Sequence, residues 1–315
     1  MRKRQGYFLM FILLVFIISV EAQDVEHCSL ITTPIILYQN DTPVQQGTGF
    51  FYTLSKDNSQ ILFLITNYHV LTGNKPNSSK SSKGNNIKFF FHKNRNVPGD
   101  VVEITIPLYT KTNKEIWITS NEYPDADVAA IPILEQYYEN TEINSITEDW
   151  TKSNIKIRPS STITLIGYPY YFYDTINQLP IWKTGTIASE PLYDFNGEPL
   201  IIIDISAFPG MSGSPVFAIA DGAYQTENGP TTVGQVRKFL GIFSYMRIQE
   251  KKIKLEEFKQ SNTNKQSNTN KGIIINDSLE LGYIWKSELI VDMISEIDIN
   301  KYEDEILKNL DILKN

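Results

Sequence analysis

Cysteine is nearly absent: Cys28 stands alone among 315 residues. No intramolecular disulfide is available, so the core has to hold the fold. Cys28 has no lipid-attachment box before it, only Val25-Glu26-His27, and reads as a plain residue, at most a nuisance in crystals or dimers. Histidine is scarce too. His27, His69 and His92 form no His/Cys cluster of the kind that holds zinc, and no metal or other cofactor is expected. Basic residues, 29 in number, are outweighed by 36 acidic ones for a net charge of −7. An acidic balance without basic clusters argues against nucleic acid or an anionic membrane as partner.

Long apolar runs are missing after residue 20. The one at the start, Phe8 to Val20, carries a single hydroxyl, Ser19. It is shorter than the ~20 residues a spanning helix needs. Arg2, Lys3 and Arg4 precede it and Val20-Glu21-Ala22 follows, the build of a secretory leader cut after Ala22. Residues 1–22 are thus expected to be removed, leaving a secreted or periplasmic protein without stable membrane association. A retained N-terminal tether is the alternative.

Long amphipathic helices are absent until the end of the chain. Short apolar, β-branched and aromatic runs alternate with turn clusters instead. They predict strands at 30–38, 49–54, 61–66, 87–92, 101–109, 128–133, 161–166, 181–187, 200–205, 215–219, 238–245 and 282–285. Many short strands at modest spacing point to an all-β sandwich or barrel. From Lys286 the period changes: Leu289, Ile290, Met293, Ile294 and Ile297 recur at helical spacing, with Ser287 as a candidate cap. Ile306, Leu307, Leu310 and Leu313 suggest a second helix, so 286–315 is expected to be helical and to pack on the outside. Residues 73–86 are polar and read as a loop. Residues 260–271 write QSNTNK twice, a tandem repeat too polar to bury apolar surface and expected to be a disordered surface loop. A linker between two halves is expected near 144–158.

The sharpest chemical signal is Phe208-Pro-Gly-Met-Ser-Gly-Ser-Pro-Val-Phe217. Attack on an amide needs a hydroxyl on a tight turn whose N–H groups point at the developing oxyanion. Gly210 and Gly213 flank Ser212 and supply the backbone freedom for such a turn. An ordinary Gly/Ser/Pro surface turn is the bland alternative. A base is needed. His69 follows Phe63-Leu64-Ile65-Thr66-Asn67-Tyr68, so it is rooted at the end of a buried strand and held as proton transfer demands. His27 lies beside the N-terminus and His92 at a strand end. A carboxylate must orient the imidazole. Asp127 at the mouth of an apolar strand and Asp125 two residues earlier both qualify.

Thr66-Asn67-Tyr68-His69-Val70 resembles the T-N-x-H-V motif of bacterial trypsin-like peptidases. Asp127-Val128-Ala129 resembles their D-(I/V/L)-A motif, which selects Asp127 over Asp125. Gly210-Met211-Ser212-Gly213-Ser214-Pro215 resembles their G-x-S-G-(G/S)-P motif. The order His, Asp, Ser matches. Weaker likenesses extend it: Gly47-Thr-Gly-Phe-Phe51 to a G-(S/T)-G-F strand, Ile166-Gly-Tyr-Pro169 to a G-(Y/F)-P stretch, Leu240-Gly-Ile242 to the strand after the nucleophile, and Leu281-Gly-Tyr-Ile284 to the last strand before a C-terminal helix. The resemblance runs from about residue 30 to 297 and is to the chymotrypsin-fold serine peptidases, among them the HtrA/DegP-like and glutamyl endopeptidase-like enzymes.

That resemblance implies two antiparallel six-stranded β-barrels with a C-terminal helix, barrel one at about 30–143 and barrel two at about 159–285 within a peptidase domain at 23–285. It implies a His69, Asp127, Ser212 triad in the cleft between them, and an oxyanion hole from the N–H groups of Gly210 and Ser212. Ser244 is expected to brace Asp127 or to offer its backbone to an extended substrate. The stretch 221–230 is expected to be a lengthened hairpin loop. Ser206, Phe243 and Ser244 are the candidate substrate-binding residues. The chain also departs from the family. Met211 stands where digestive relatives have an Asp that pairs with a fresh N-terminus. Ser206 offers no counter-charge for a Lys or Arg substrate side chain. Phe243 replaces the histidine of glutamyl-specific relatives. A small or apolar residue before the cut is expected of the protein or peptide substrate. Against the peptidase stands a rival of another class, a catalytically silent barrel pair used for protein binding, motivated by Met211 and by Tyr68 beside the base.

Overall fold

The computed structural model describes residues 25–56, 59–170, 172–254 and 272–306. The expected leader, the QSNTNK repeat and the helix expected beyond residue 306 lie outside the described residues. The chain opens with a short helix α1 (His27–Ile31). Then come β1 (Thr32–Gln39), β2 (Thr42–Lys56), β3 (Ser59–Thr66), one helical turn α2 (Tyr68–Thr72), β4 (Asn86–His92), β5 (Val101–Pro107) and β6 (Ala129–Ile133). After a short helix α3 (Glu148–Thr151), the second half holds β7 (Thr162–Gly167), β8 (Ile181–Ile187), β9 (Leu200–Asp204), β10 (Pro215–Gln225), β11 (Thr231–Lys254) and β12 (Gly272–Lys286). Helices α4 (Ser287–Ser295) and α5 (Ile299–Glu305) end it. Each of the twelve expected strands has a counterpart.

The strands form two antiparallel six-stranded sheets, in the order β5-β4-β1-β2-β3-β6 and as a closed barrel β10-β11-β12-β9-β8-β7. The first sheet is not closed by a continuous ladder between β5 and β6. Pro132 explains the gap. Ala130 exchanges both backbone hydrogen bonds with Ile118, at 2.8 and 3.0 Å, so its polar groups face the open side. Pro132, two residues on, faces the same side and has no N–H to offer. The residues after β5 fold back, with Ile116 N donating to Leu108 O and Ile118 bridging to Ala130, and they fill the opening piecemeal.

Three further expectations are corrected. Residues 221–225 are strand and not loop: Asp221 to Gln225 pair with Thr231 to Gln235, so β10 and β11 run on as a two-stranded ribbon and the connecting loop is confined to 226–230. Water reaches both faces of that ribbon, which therefore shows no apolar alternation in sequence. Ser287 does not cap α4. Lys286 holds the cap position with extended backbone, and the Ser287 hydroxyl donates to Glu288 Oε2 at 3.2 Å. Cys28 is fully buried at the N-terminal end of the first half, where burial pushes its thiol up to about 12, so it is inert packing and no surface nuisance.

One apolar cluster spans both sheets. Phe50, Tyr52, Phe63 and Ile65 from the first half pack with Phe217, Phe239, Ile242 and Trp285 from the second, and with Leu289, Ile290, Met293 and Ile294 of α4. Fully burying a side chain of this size stabilises the fold by roughly 1.5–3 kcal/mol. The chain end then returns to the first half: Tyr302 and Ile306 join its core, and the Tyr302 hydroxyl donates to Ile116 O. Between the sheets, Ile146 exchanges backbone hydrogen bonds with Phe51 and Thr53, and Ile155 bridges to Thr226, so residues 144–158 are laid over both halves.

Candidate active site

His69 sits on α2, the single turn that follows β3. The turn ends at Gly73, whose φ of 73° puts it in the left-handed region, and the Gly73 N–H donates to His69 O at 2.8 Å. Gln45 Nε2 donates to the same carbonyl at 2.8 Å. Asp127 lies two residues before β6, the strand that pairs with β3, so pairing Thr66 with Ala129 brings Asp127 and His69 together. The imidazole Nδ1–H donates to Asp127 Oδ2 at 2.6 Å, and the His69 backbone N–H donates to Oδ1 at 3.0 Å. Asp125 points elsewhere, accepting from Asn77 Nδ2 at 2.7 Å, so of the two candidate carboxylates the structure brings Asp127 to the histidine.

The Asp127 side chain is 8% exposed and the His69 ring 26%. Burial alone pushes the carboxyl up. The hydrogen bond and charge of His69, with the Ser244 hydroxyl, outweigh it and hold Asp127 below its usual range. Ser244 comes from β11 of the second half, and its Oγ–H donates to Asp127 Oδ2 at 2.5 Å.

The Ser212 turn is built against the first half. Gly213 has φ 90°, and a Cβ there would lie 1.9 Å from Thr48 O. Gly210 has φ 94°, and a Cβ there would lie 2.7 Å from Tyr168 O. Glycine is required at both positions by conformation and by space. Thr48 of β2 is the anchor. Its N–H donates to Ser212 O at 2.8 Å and its hydroxyl to Gly210 O at 2.9 Å, while it accepts from Tyr168 N at 2.9 Å. Met211 is buried in the core of the second barrel, and its N–H donates to Phe208 O at 3.1 Å. Among the described residues no group accepts from the N–H of Gly210 or of Ser212. The Ser212 hydroxyl donates to Ser244 O at 2.8 Å.

The other candidates fall as follows. Ser206 is exposed on the segment after β9. The Phe243 side chain is 2% exposed and lies in the core of the second barrel. Ser244 is fully buried, with its hydroxyl on Asp127 and its carbonyl accepting from Ser212. Next to it Tyr245, 48% exposed, stacks on Tyr283 with ring centroids 4.6 Å apart. His27 packs edge-on against Trp150, and His92 is buried with Nδ1 2.6 Å from Pro98 O, so neither is a partner of Asp127 or Ser212. Residues that sequence reasoning left unassigned are Gln45, Thr48, Thr66, whose hydroxyl donates to Thr48 O at 2.7 Å, and Asn67, whose amide donates to Asp127 O at 2.6 Å. Thr48 lies in the quoted Gly47-Thr-Gly stretch, and Thr66 and Asn67 in the histidine motif, but residue type alone says nothing of the bonds they make.

A family model described as a trypsin-like peptidase domain matches residues 47–224, more than half of the chain. Among solved structures, the chain is similar to an inactive, serine-to-alanine mutant form of Rv3671c from M. tuberculosis H37Rv. That likeness has 13% identity and a TM-score of 0.42, and it covers 87% of this chain and 89% of that one. It is also similar to a serine endoprotease from Yersinia pestis, at 12% identity and a TM-score of 0.40, covering 88% of this chain and 64% of that one. A search of curated protein sequences gives no match. The family match starts at Gly47, ends at Tyr224, and takes in His69, Asp127 and the whole Ser212 turn: the chain belongs to the trypsin-like peptidase domain family.

Proposed function

We propose that the protein is a serine endopeptidase that uses His69, Asp127 and Ser212 as a triad. The observation that carries this is a hydrogen-bonded path across the two halves: Ser212 hydroxyl to Ser244 carbonyl, Ser244 hydroxyl to Asp127, and Asp127 to the imidazole of His69. With Nδ1–H engaged by a carboxylate, Nε2 is the lone pair left to accept a proton. In this structure the Ser212 hydroxyl donates to Ser244 O and not to His69, so in the proposed cycle it leaves that carbonyl and turns to the imidazole. His69 takes the proton as Ser212 Oγ bonds to the substrate carbonyl carbon. The N–H groups of Gly210 and Ser212 donate to the oxyanion. His69 then gives its proton to the leaving amine as the C–N bond breaks. A water molecule, deprotonated by His69, opens the acyl-enzyme and restores the serine. These groups and water suffice for the cycle.

The substrate is a protein or peptide. Ser206, six residues before the nucleophile, carries no charge to pair with a Lys or Arg side chain, which favours a small or apolar residue before the cut. The leader-like build of residues 1–22 supports export, and N-terminal sequencing of the exported protein is expected to begin at Gln23. A fluorophosphonate probe tests the core of the proposal. Wild type and Ser206→Ala are expected to label and Ser212→Ala to stay unlabelled. A wild type that neither labels nor cleaves a peptide library would sink it.

A further inference from the structure

Asn67 occupies the cap position of α2, with extended backbone (φ −80°, ψ 148°), yet its side chain does not cap the helix. Asparagine is among the best residues for that task, since its oxygen normally accepts from the N–H two or three positions on. Here the N–H two positions on is that of His69, and it donates to Asp127 Oδ1 at 3.0 Å. The carboxylate has taken over the cap. Asn67 turns its amide the other way, and Nδ2 donates to the backbone carbonyl of Asp127 at 2.6 Å. The side chain is fully buried, and its Oδ1 has no hydrogen-bond partner among the described residues. Exchanging oxygen and nitrogen would set two acceptors against each other at 2.6 Å, so the donor assignment is forced.

Leaving Oδ1 buried and unpaired is unfavourable, and returning it to the cap would remove that cost. The arrangement survives because the two exchanges interlock. Asp127 reaches the helix only if its main chain stays where Asn67 holds it, and Asn67 is free to hold it only because Asp127 caps the helix. Resting on the peptidase function proposed above, we infer that Asn67 is a positioning residue: it fixes the main chain of Asp127 so that one carboxylate oxygen caps the histidine's helix and the other orients the imidazole. It touches neither substrate nor the reacting atoms and acts through Asp127 alone.

Two properties separate this role from simple support of the fold. Loss of the amide lowers kcat and leaves KM nearly unchanged, because the substrate does not contact Asn67. Its effect also vanishes once Asp127 is gone, because both act on one imidazole. The test is a double-mutant cycle on cleavage of a short peptide, using Asn67→Ala, Asn67→Leu (similar volume, no donor), Asp127→Ala and each pair, with thermal unfolding recorded for all. Each Asn67 single variant is expected to lower kcat about tenfold, and neither to lower it further in the Asp127→Ala background. Losses that multiply, or a fall in kcat that merely follows the fraction unfolded, would overturn the inference. Ser212→Ala is run alongside. If it cleaves like wild type, the proposed function fails. If it is inactive while the Asn67 and Asp127 losses multiply, only the positioning role fails.

Discussion

The hydroxyl of Ser244, on the second barrel, donates to Asp127 Oδ2 of the first sheet at 2.5 Å, on the same oxygen that holds the imidazole of His69. A buried carboxylate is thereby satisfied from both halves at once.

Removing that hydroxyl while keeping the backbone is the direct probe. Ser244→Ala leaves the carbonyl that Ser212 uses and strips one donor from a buried charge. Hydrogen bonds to charged groups contribute ~1.5–3 kcal/mol. A loss of stability in that range is expected from denaturant unfolding, with a fall of about tenfold in kcat/KM on a peptide substrate.

The carboxylate also sets an acid dependence. In the folded protein Asp127 titrates below its usual range, because His69 and Ser244 outweigh burial. A depressed folded value means that the ionised form stabilises the fold above the unfolded pKa of ~3.9, and that this contribution is lost as pH falls through the lower folded value. Wild type and Asp127→Asn are therefore expected to differ most in unfolding free energy near neutral pH, with the gap closing below about pH 4. A gap that stayed constant down to pH 2.5 would contradict the assignment.

Two glycines of positive φ separate strain from collision. A Cβ on Gly222 (φ 115°) would meet nothing within 4 Å, whereas on Gly213 (φ 90°) it would lie 1.9 Å from Thr48 O. Gly222→Ala is expected to cost about 1–2 kcal/mol of stability from backbone conformation alone. Gly213→Ala is expected to cost clearly more and to abolish probe labelling, since the Ser212 turn has to move off Thr48. Denaturant unfolding of both variants checks the order.

At the chain end, Tyr302→Phe deletes the donor to the Ile116 carbonyl and leaves that acceptor buried. A destabilisation of about 1–3 kcal/mol is expected. Probe labelling should be unchanged, since the bond lies outside the site.

The twelve strands are legible in sequence because their inward faces carry β-branched and aromatic residues. The early start of β2, at Thr42, and the 221–235 ribbon are not, because those segments meet water on both sides and impose no apolar period. Asp127 is separable from Asp125 only by the resemblance of Asp127-Val128-Ala129 to a family motif, since local composition lets both carboxylates qualify. Ser212, between two glycines, is legible because only glycine fits the turn's torsions and its closeness to Thr48. The work of Thr48 and Asn67 depends on bonds to residues up to 162 positions away, and nothing in local composition reports those.

The shared cluster of Phe50, Tyr52, Phe217, Phe239 and Trp285 bears on how the molecule comes apart. Each half has a core of its own, but this seam is buried only when the two are together. Heating is expected to give a single transition with coincident signals from both sheets, and either half expressed alone would present its aromatic seam to water and associate with itself.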